Sequence, residues 1–224
     1  AAVLVVDNRT MAVLAYAGSQ DFRDRVHQGQ VDGIRARRSP GSALKPFIYA
    51  KAMDKGLVTA GSLLFDIPRS FTGYEPKNYS HQYLGRVSMR QALVRSLNVP
   101  AVETLSRLSE SSMASFLAEI GVDASRASGR DLGLSVALGA YPVSLENLVA
   151  LYAAIANGGE LRRPAYLKGE RRFAGRRIMS EAAAWLLADI LSGLTRPDLP
   201  AAWEYTSSLP KVAWKTGTSF GLSD

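Results

Sequence analysis

The chain opens on two β-rich runs, Ala2-Val3-Leu4-Val5-Val6 and Ala12-Val13-Leu14-Ala15-Tyr16-Ala17, separated by Asp7-Asn8-Arg9-Thr10. The intervening residues carry turn chemistry, so the pattern predicts an antiparallel hairpin. Residues 19–41 are polar and end in Arg38-Ser39-Pro40-Gly41, a loop feeding a helix start. From Ser42 to Lys55 the apolar positions Leu44, Phe47, Ile48 and Ala52 recur at helical spacing, and Gly56 can end the helix in left-handed geometry. Residues 66–86, rich in Pro, Gly, Tyr and Asn, predict a long irregular loop of the kind that often carries function. Ser88 with Gln91 forms a capping-box pattern that opens a helix towards Arg95, and Pro100 restarts a second one. Further helices are predicted at 111–120, stopped by Gly121, at 144–157, capped by Ser144 and stopped by Gly158-Gly159, and at 180–193. Residues 161–178 read as a short basic hairpin and 211–219 as a β-branched strand. Helices between an early hairpin and a late strand predict an α/β chain of the α+β type, an antiparallel sheet with an inserted helical subdomain.

Composition narrows the class. At 224 residues there is room for one large domain or two small ones, and 47% hydrophobic with 21% charged residues is ordinary for a globular protein. No apolar run approaches the roughly 20 residues of a membrane-spanning helix. No signal peptide precedes the first strand, so a mature or excised fragment is expected. The formal charge of +7 fits either a solvated basic surface or attraction to a polyanion such as nucleic acid, anionic lipid or cell-wall polymer. The basic runs Arg35-Ala36-Arg37-Arg38 and Arg171-Arg172…Arg176-Arg177 lack interleaved aromatics, and no nucleic-acid module signature is present, so no nucleic-acid partner is expected. Absence of cysteine excludes disulfides and thiolate metal sites. With only His27 and His81, a histidine triad or metal site has little to build on.

Three motifs carry chemistry: Ser42-Ala43-Leu44-Lys45, Ser96-Leu97-Asn98, and Lys215-Thr216-Gly217-Thr218-Ser219. Each is common by chance; order, spacing and context make the set specific. Pro40-Gly41 lets the backbone turn so that Ser42 falls in the first helical turn, where unpaired N–H groups favour an alkoxide and an oxyanion. Lys45 follows one turn on, its amine within reach of Ser42 Oγ, and Pro46 is tolerated that early in a helix. A lysine takes up protons at neutral pH only if burial or a nearby cation lowers its pKa, and Lys215 is the candidate cation. Alone, the pair reads more readily as a serine cap beside a solvated lysine.

Ser96 and Asn98 sit at the break between two helices, both able to face a cleft. A hydroxyl that donates and accepts suits Ser96 to relay a proton between Lys45 and a leaving amine, and Asn98 can hold a substrate amide or simply cap the next helix. Gly217 would let a substrate backbone approach and pair with its strand. Thr216 and Thr218 hydroxyls with Lys215 would form a carboxylate pocket. The Thr218 N–H, with that of Ser42, would complete an oxyanion hole. The plain alternative is an ordinary Thr-rich strand.

As they stand, these motifs resemble those of the serine acyltransferases that bind penicillin. Gln30-Val31-Asp32, Arg38-Ser39-Pro40-Gly41-Ser42 and Lys45-Pro46-Phe47 are similar to the transpeptidase domain of class A penicillin-binding proteins. So are Ser96-Leu97-Asn98-Val99-Pro100-Ala101-Val102, Ala137-Leu138-Gly139 and Ala153-Ala154-Ile155-Ala156-Asn157-Gly158-Gly159. Gly73-Tyr74-Glu75-Pro76-Lys77-Asn78-Tyr79 and Ala213-Trp214-Lys215-Thr216-Gly217-Thr218-Ser219 resemble the 1C branch.

The resemblance implies a penicillin-binding/β-lactamase-like fold, an antiparallel sheet flanked by helices with a helical subdomain. Ser42 would be the nucleophile, Lys45 the base, Ser96 the relay and Asn98 a substrate contact; Lys215, Thr216, Gly217 and Thr218 would form the substrate-binding strand. The implied reaction acylates Ser42 with a donor stem peptide, releases terminal D-alanine, and passes the acyl group to a neighbouring stem amine, with no metal or organic cofactor. Peptidoglycan stem peptides and β-lactam antibiotics are the implied partners. The implied location is the bacterial periplasm or the outer face of the inner membrane, the full-length protein being anchored there.

The glycosyltransferase half and anchor of such proteins are not in this chain, so crosslinking alone is expected of it. In that family further strands and a closing helix follow the Lys-Thr-Gly strand, so residues 1–224 are expected to be one transpeptidase domain, incomplete at its C-terminus. That leaves activity of this stretch by itself in question.

Three neighbouring readings share parts of this chemistry. A class A β-lactamase needs a Glu-x-x-x-Asn pattern to activate water, and Glu146-Asn147 has the wrong spacing. A D,D-carboxypeptidase differs only in using water as acceptor. A cell-wall or β-lactam sensor module would acylate without turning over.

Overall fold

The computed structural model describes residues 1–71, 73–108, 110–122, 133–170, 174–193 and 212–218. Along them run β1 (Val3–Val6), β2 (Val13–Ala17), a 3₁₀ turn (Gly41–Leu44), α1 (Lys45–Asp54), β3 (Leu63–Asp66), β4 (Gly85–Ser88) and α2 (Met89–Val94). Then follow α3 (Asn98–Leu108), α4 (Glu110–Glu119), a second 3₁₀ turn (Leu134–Leu138), α5 (Leu145–Ala156), β5 (Glu160–Leu161), β6 (Arg176–Arg177) and α6 (Glu181–Ser192). The strands pair in sequence order as three antiparallel ladders, β1 with β2, β3 with β4 and β5 with β6.

Helix α1 is the centre of the molecule. Leu44, Lys45, Phe47, Ile48, Tyr49 and Ala52 are all wholly buried. A helix covered on every side must sit among other elements, and α1 packs against α3 and α6, while α5 lies over α6 and β1. Phe47 of α1 stacks on Phe116 of α4 with ring centres 6.1 Å apart, and meets Tyr152 of α5 edge-on at 5.4 Å. Such pairs add about 0.5–1.5 kcal/mol each beyond area burial, so this aromatic trio ties three helices at one point.

Local signals explain the helix ends. Ser88 Oγ accepts the Gln91 N–H while Gln91 Oε1 accepts the Ser88 N–H, closing the predicted capping box. Ser144 and Ser180 cap α5 and α6 in the same manner, each accepting a backbone N–H three residues on. Helix α1 ends as predicted at Gly56, whose φ is +67°, with Gly56 N–H on Met53 O and Leu57 N–H on Ala52 O.

Several expectations are corrected. The helix predicted from Ser42 begins as a 3₁₀ turn, and Pro46 is the reason. Proline has no N–H to give the Ser42 carbonyl, which instead accepts the Lys45 N–H three residues on. The loop predicted at 66–86 is pinned at both ends by β3 and β4. Leu64 and Asp66 point inward there and Leu63 and Phe65 outward; the buried carboxylate disguised the alternation. Helix α3 begins at Asn98, ahead of Pro100. The basic hairpin is paired at its ends, Glu160 with Arg177 and Leu161 with Arg176; Arg171 and Arg172 lie outside the described residues.

The strand predicted at 211–219 is absent across 212–218, since among the described residues no strand runs beside it to form a ladder. Lys211 and Ser219 lie outside the described residues. Also among them, no helix is long and apolar enough to cross a membrane.

Candidate active site

The 3₁₀ turn sets the first relationship. With three residues per turn, positions i and i+3 eclipse, so Ser42 and Lys45 stand one above the other on the same face. Ser42 is partly exposed and Lys45 wholly buried. Lys45 Nζ donates to the Ser96 carbonyl and to Asn98 Oδ1, each at 2.6 Å. Burial, and then the nearby Lys215 charge, push its pKa well below the usual lysine value, while Asp66, the least of the three influences, acts the other way. A neutral amine has two N–H bonds and one lone pair. Both N–H directions are taken by these acceptors, which leaves the lone pair for a third group. Among the described residues no hydrogen bond joins Ser42 Oγ to Lys45, so the expected direct contact is not closed in this state.

Ser96 occupies an unusual position. Its N–H reaches Leu93 O at 3.1 Å and the Leu97 N–H reaches Ala92 O at 2.9 Å, the bond pair that ends a helix with a left-handed residue. That residue is usually glycine; here it is Ser96 at φ +55°. Left-handed geometry costs a residue with a Cβ roughly 1–2 kcal/mol. In return, the reversal turns the Ser96 carbonyl onto Lys45 and its hydroxyl onto Lys215, whose Nζ donates to Ser96 Oγ at 2.8 Å. The expected relay would join Lys45 to the Ser96 hydroxyl, and among the described residues no hydrogen bond joins those two groups. Lys45 meets the carbonyl, and the hydroxyl belongs to Lys215.

Asn98 is held from both ends. Its Nδ2 donates to Lys77 O at 2.6 Å, which fixes the amide so that Oδ1 faces Lys45. Its backbone N–H donates to Asn78 Oδ1 at 2.8 Å. Asn78 Nδ2 in turn donates to Asp66 Oδ1 at 2.8 Å and to Gln82 O at 2.9 Å, and Asp66 Oδ2 accepts the Leu84 N–H at 2.9 Å. Asp66 and Asn78 are buried, so these are screened little by water.

Residues 212–218 close one side. Lys215 Nζ also donates to Thr216 O at 2.8 Å, and burial lowers its pKa to about 8. Thr216, Gly217 and Thr218 are exposed. The Lys215 amine thus meets the Ser96 hydroxyl and the Thr216 carbonyl.

Three glycines let the pieces approach. A Cβ on Gly41 would stand 1.9 Å from Thr218 O, one on Gly217 2.3 Å from Pro40 O, and one on Gly139 2.2 Å from Gly41 N. Ser39 Oγ fastens the same corner by donating to Gly139 O at 2.7 Å, and Tyr152 Oη donates to Ala43 O at 2.9 Å.

Of the residues predicted for the site, Lys45, Ser96, Asn98 and Lys215 are linked by direct hydrogen bonds, and Ser42 stands over Lys45 by helical phase. Gly217 and Thr218 lie against the turn through their backbones, and Thr216 contributes a carbonyl. Asp66, Asn78 and Tyr152 were missed. Asn78 carried a signal, a polar residue in a Pro- and Gly-rich segment; Asp66 and Tyr152 carried none. Among the described residues no group of three or more His, Asp or Glu side chains is gathered as a metal site would require.

The fold is of the penicillin-binding/β-lactamase-like class. The family described as penicillin binding protein transpeptidase domain matches residues 1–223, and the chain belongs to that family. Penicillin-binding protein 1C of Escherichia coli (strain K12) is 39% identical over 226 residues, covering 100% of this chain and 28% of that protein. Penicillin-binding protein 1F of Bacillus subtilis (strain 168) is 29% identical, covering 96% of this chain and 30% of its own length. Penicillin-binding protein 1A of Streptococcus pneumoniae (strain ATCC BAA-255 / R6) is 30% identical, with coverages of 96% and 32%. The chain thus spans under a third of the length of these relatives. A crystal structure of a peptidoglycan glycosyltransferase from Burkholderia ambifaria superposes with a TM-score of 0.69 at 22% identity, covering 85% of this chain and 64% of that one, a likeness of fold.

Proposed function

We propose that this domain is a D,D-transpeptidase that crosslinks peptidoglycan stem peptides through an acyl-enzyme on Ser42 and is acylated by β-lactams. The observation that carries the reading is the buried Lys45 amine, with both its N–H directions occupied by Ser96 O and Asn98 Oδ1 and its pKa lowered by burial and by Lys215.

In the first step the Lys45 lone pair takes the Ser42 hydroxyl proton as Oγ attacks the carbonyl carbon of the terminal D-Ala-D-Ala bond. The backbone N–H groups of Ser42 and Thr218 receive the oxyanion. The C–N bond then breaks. Its departing amine takes a proton from the Ser96 hydroxyl, which the Lys215 ammonium restores along their 2.8 Å hydrogen bond. In the second step the acceptor amine attacks the ester and its proton returns to Lys215 through Ser96. Lys45 gives its proton back to Ser42 Oγ, so the cycle closes with charges restored.

Lys215, while cationic, and the exposed Thr216–Thr218 edge receive the substrate carboxylate and backbone. Peptidoglycan is the polymer acted on, so the working location is outside the cytoplasm, in the periplasm or at the outer face of the inner membrane, where an anchor would hold the full-length protein. The test is product analysis with a D-Ala-D-Ala donor and an amine acceptor. A new amide supports the reading, hydrolysis alone makes the domain a carboxypeptidase, and a stable adduct without turnover makes it a sensor.

A further inference from the structure

A polar chain leads away from the catalytic cluster into the β3–β4 ribbon and its loop, and the mechanism above uses none of it beyond Asn98. It runs from Lys45 Nζ to Asn98 Oδ1, from the Asn98 N–H to Asn78 Oδ1, and from Asn78 Nδ2 to Asp66 Oδ1. We propose that Asn78, clamped by Asp66, is a positioning residue that fixes the Ser96–Asn98 turn and so aims Asn98 Oδ1 at the Lys45 amine. The inference rests on the proposed acylation at Ser42.

Three observations carry it. First, Asn78 satisfies the backbone N–H of Asn98, the first residue of α3, which has no intrahelical acceptor. The left-handed Ser96 lies two residues earlier, and a strained residue persists only where its surroundings over-determine it. Second, the orientation of Asn78 is itself fixed. Its amide nitrogen serves two acceptors, Asp66 Oδ1 and Gln82 O, so the oxygen must face Asn98. Third, Asp66 is fully buried and accepts from Asn78 and from the Leu84 N–H, which ties both residues to one carboxylate. Lys77 O, next to Asn78 in that segment, holds Asn98 Nδ2. The loop is therefore a scaffold for one side chain of the site.

The charged groups acting on the Lys45 amine are Lys215, across the cleft, and Asp66, from β3. Asp66 raises the Lys45 pKa, so removing its charge lowers that pKa further. The sign is definite: acylation needs neutral Lys45, so its acid limb moves to lower pH.

The test uses the intact protein and a fluorescent penicillin, with wild-type labelling at Ser42 measured first. If wild type is not labelled there, the proposed function fails. With wild type labelled, Asn78→Ala is expected to slow acylation about a hundredfold, the scale of a small misplacement of a reacting group. A double variant with Asn98→Ala should be no slower than Asn98→Ala alone within about threefold, because Asn78 acts through Asn98. Wild-type acylation in Asn78→Ala, or losses that multiply in the double variant, overturn the proposal. Should Asn78→Ala not fold, Asp66→Asn, which loosens the clamp on Asn78, decides: acylation slowed at least tenfold at its pH plateau supports the proposal, and wild-type acylation there overturns it.

Discussion

Lys45 and Lys215 meet on one residue: the carbonyl of Ser96 accepts from the first at 2.6 Å and its hydroxyl from the second at 2.8 Å. Two amines so close cannot both keep an ordinary ammonium charge without cost. The buried one yields, its pKa falling well below the usual value, while the half-buried one falls only to about 8. The division of labour proposed between base and carboxylate-binding cation would follow from burial.

Replacing Lys45 with methionine keeps the volume and removes the proposed base. Acylation by a fluorescent penicillin should fall about a thousandfold, within the range of general-base catalysis, with circular dichroism unchanged. A loss below tenfold would assign the base to another group.

The second lysine sets an alkaline limb. Lys215 is cationic below about pH 8 and neutral above it. The KM of a peptide ending in a carboxylate should therefore rise as pH passes 8, and Lys215→Arg, which keeps its charge, should remove that rise. Stability moves oppositely. The folded pKa lies below the ordinary 10.5, so the unfolded chain binds more protons between the two values, and this lysine makes the fold more stable as pH climbs from 8 towards 10. Steady-state kinetics and denaturant titration across pH 7–10 check both.

Ser96 allows strain and function to be separated. Ser96→Gly and Ser96→Ala both lose the hydroxyl that Lys215 holds, so both should slow turnover. Only glycine relaxes the left-handed backbone, and Ser96→Gly should be the more stable of the two by about 1 kcal/mol. Equal stability in chemical denaturation would mean that the turn is not strained.

Gly139→Ala should both destabilise the fold and slow acylation at least tenfold, because the added methyl would collide with Gly41 N beside Ser42. Gly169 makes the control, with a φ of +81° and open space around it. Gly169→Ala should cost about 1 kcal/mol of backbone strain and leave acylation alone. Matching kinetic effects at both positions would contradict the role given to the Gly139–Gly41 contact.

How much of this was legible follows from how local each feature is. The hairpin at the start, the capping box at Ser88, the caps at Ser144 and Ser180 and the stop at Gly56 are written within a few residues, and all are present. The Ser42–Lys45 spacing is also local, and Pro46 beside it is the reason that the turn is 3₁₀. Strand β3 escaped because Asp66 takes an inward position that an apolar residue would normally hold. The Ser96 turn escaped because its left-handed position is usually filled by glycine. Asn78 and Asp66 act on Asn98 only through tertiary folding, and nothing in their own neighbourhoods points to α3. Residues 212–218 have a strand's composition, but a ladder needs a partner, which composition does not supply.

The central claim is covalent chemistry at one hydroxyl. The most direct measurement is peptide mass mapping of the intact protein after brief exposure to a penicillin, wild type beside Ser42→Ala. The account predicts a single adduct of intact ring-opened penicillin on Ser42, absent from the variant. An adduct that persists in Ser42→Ala, or one found on another residue, would contradict it.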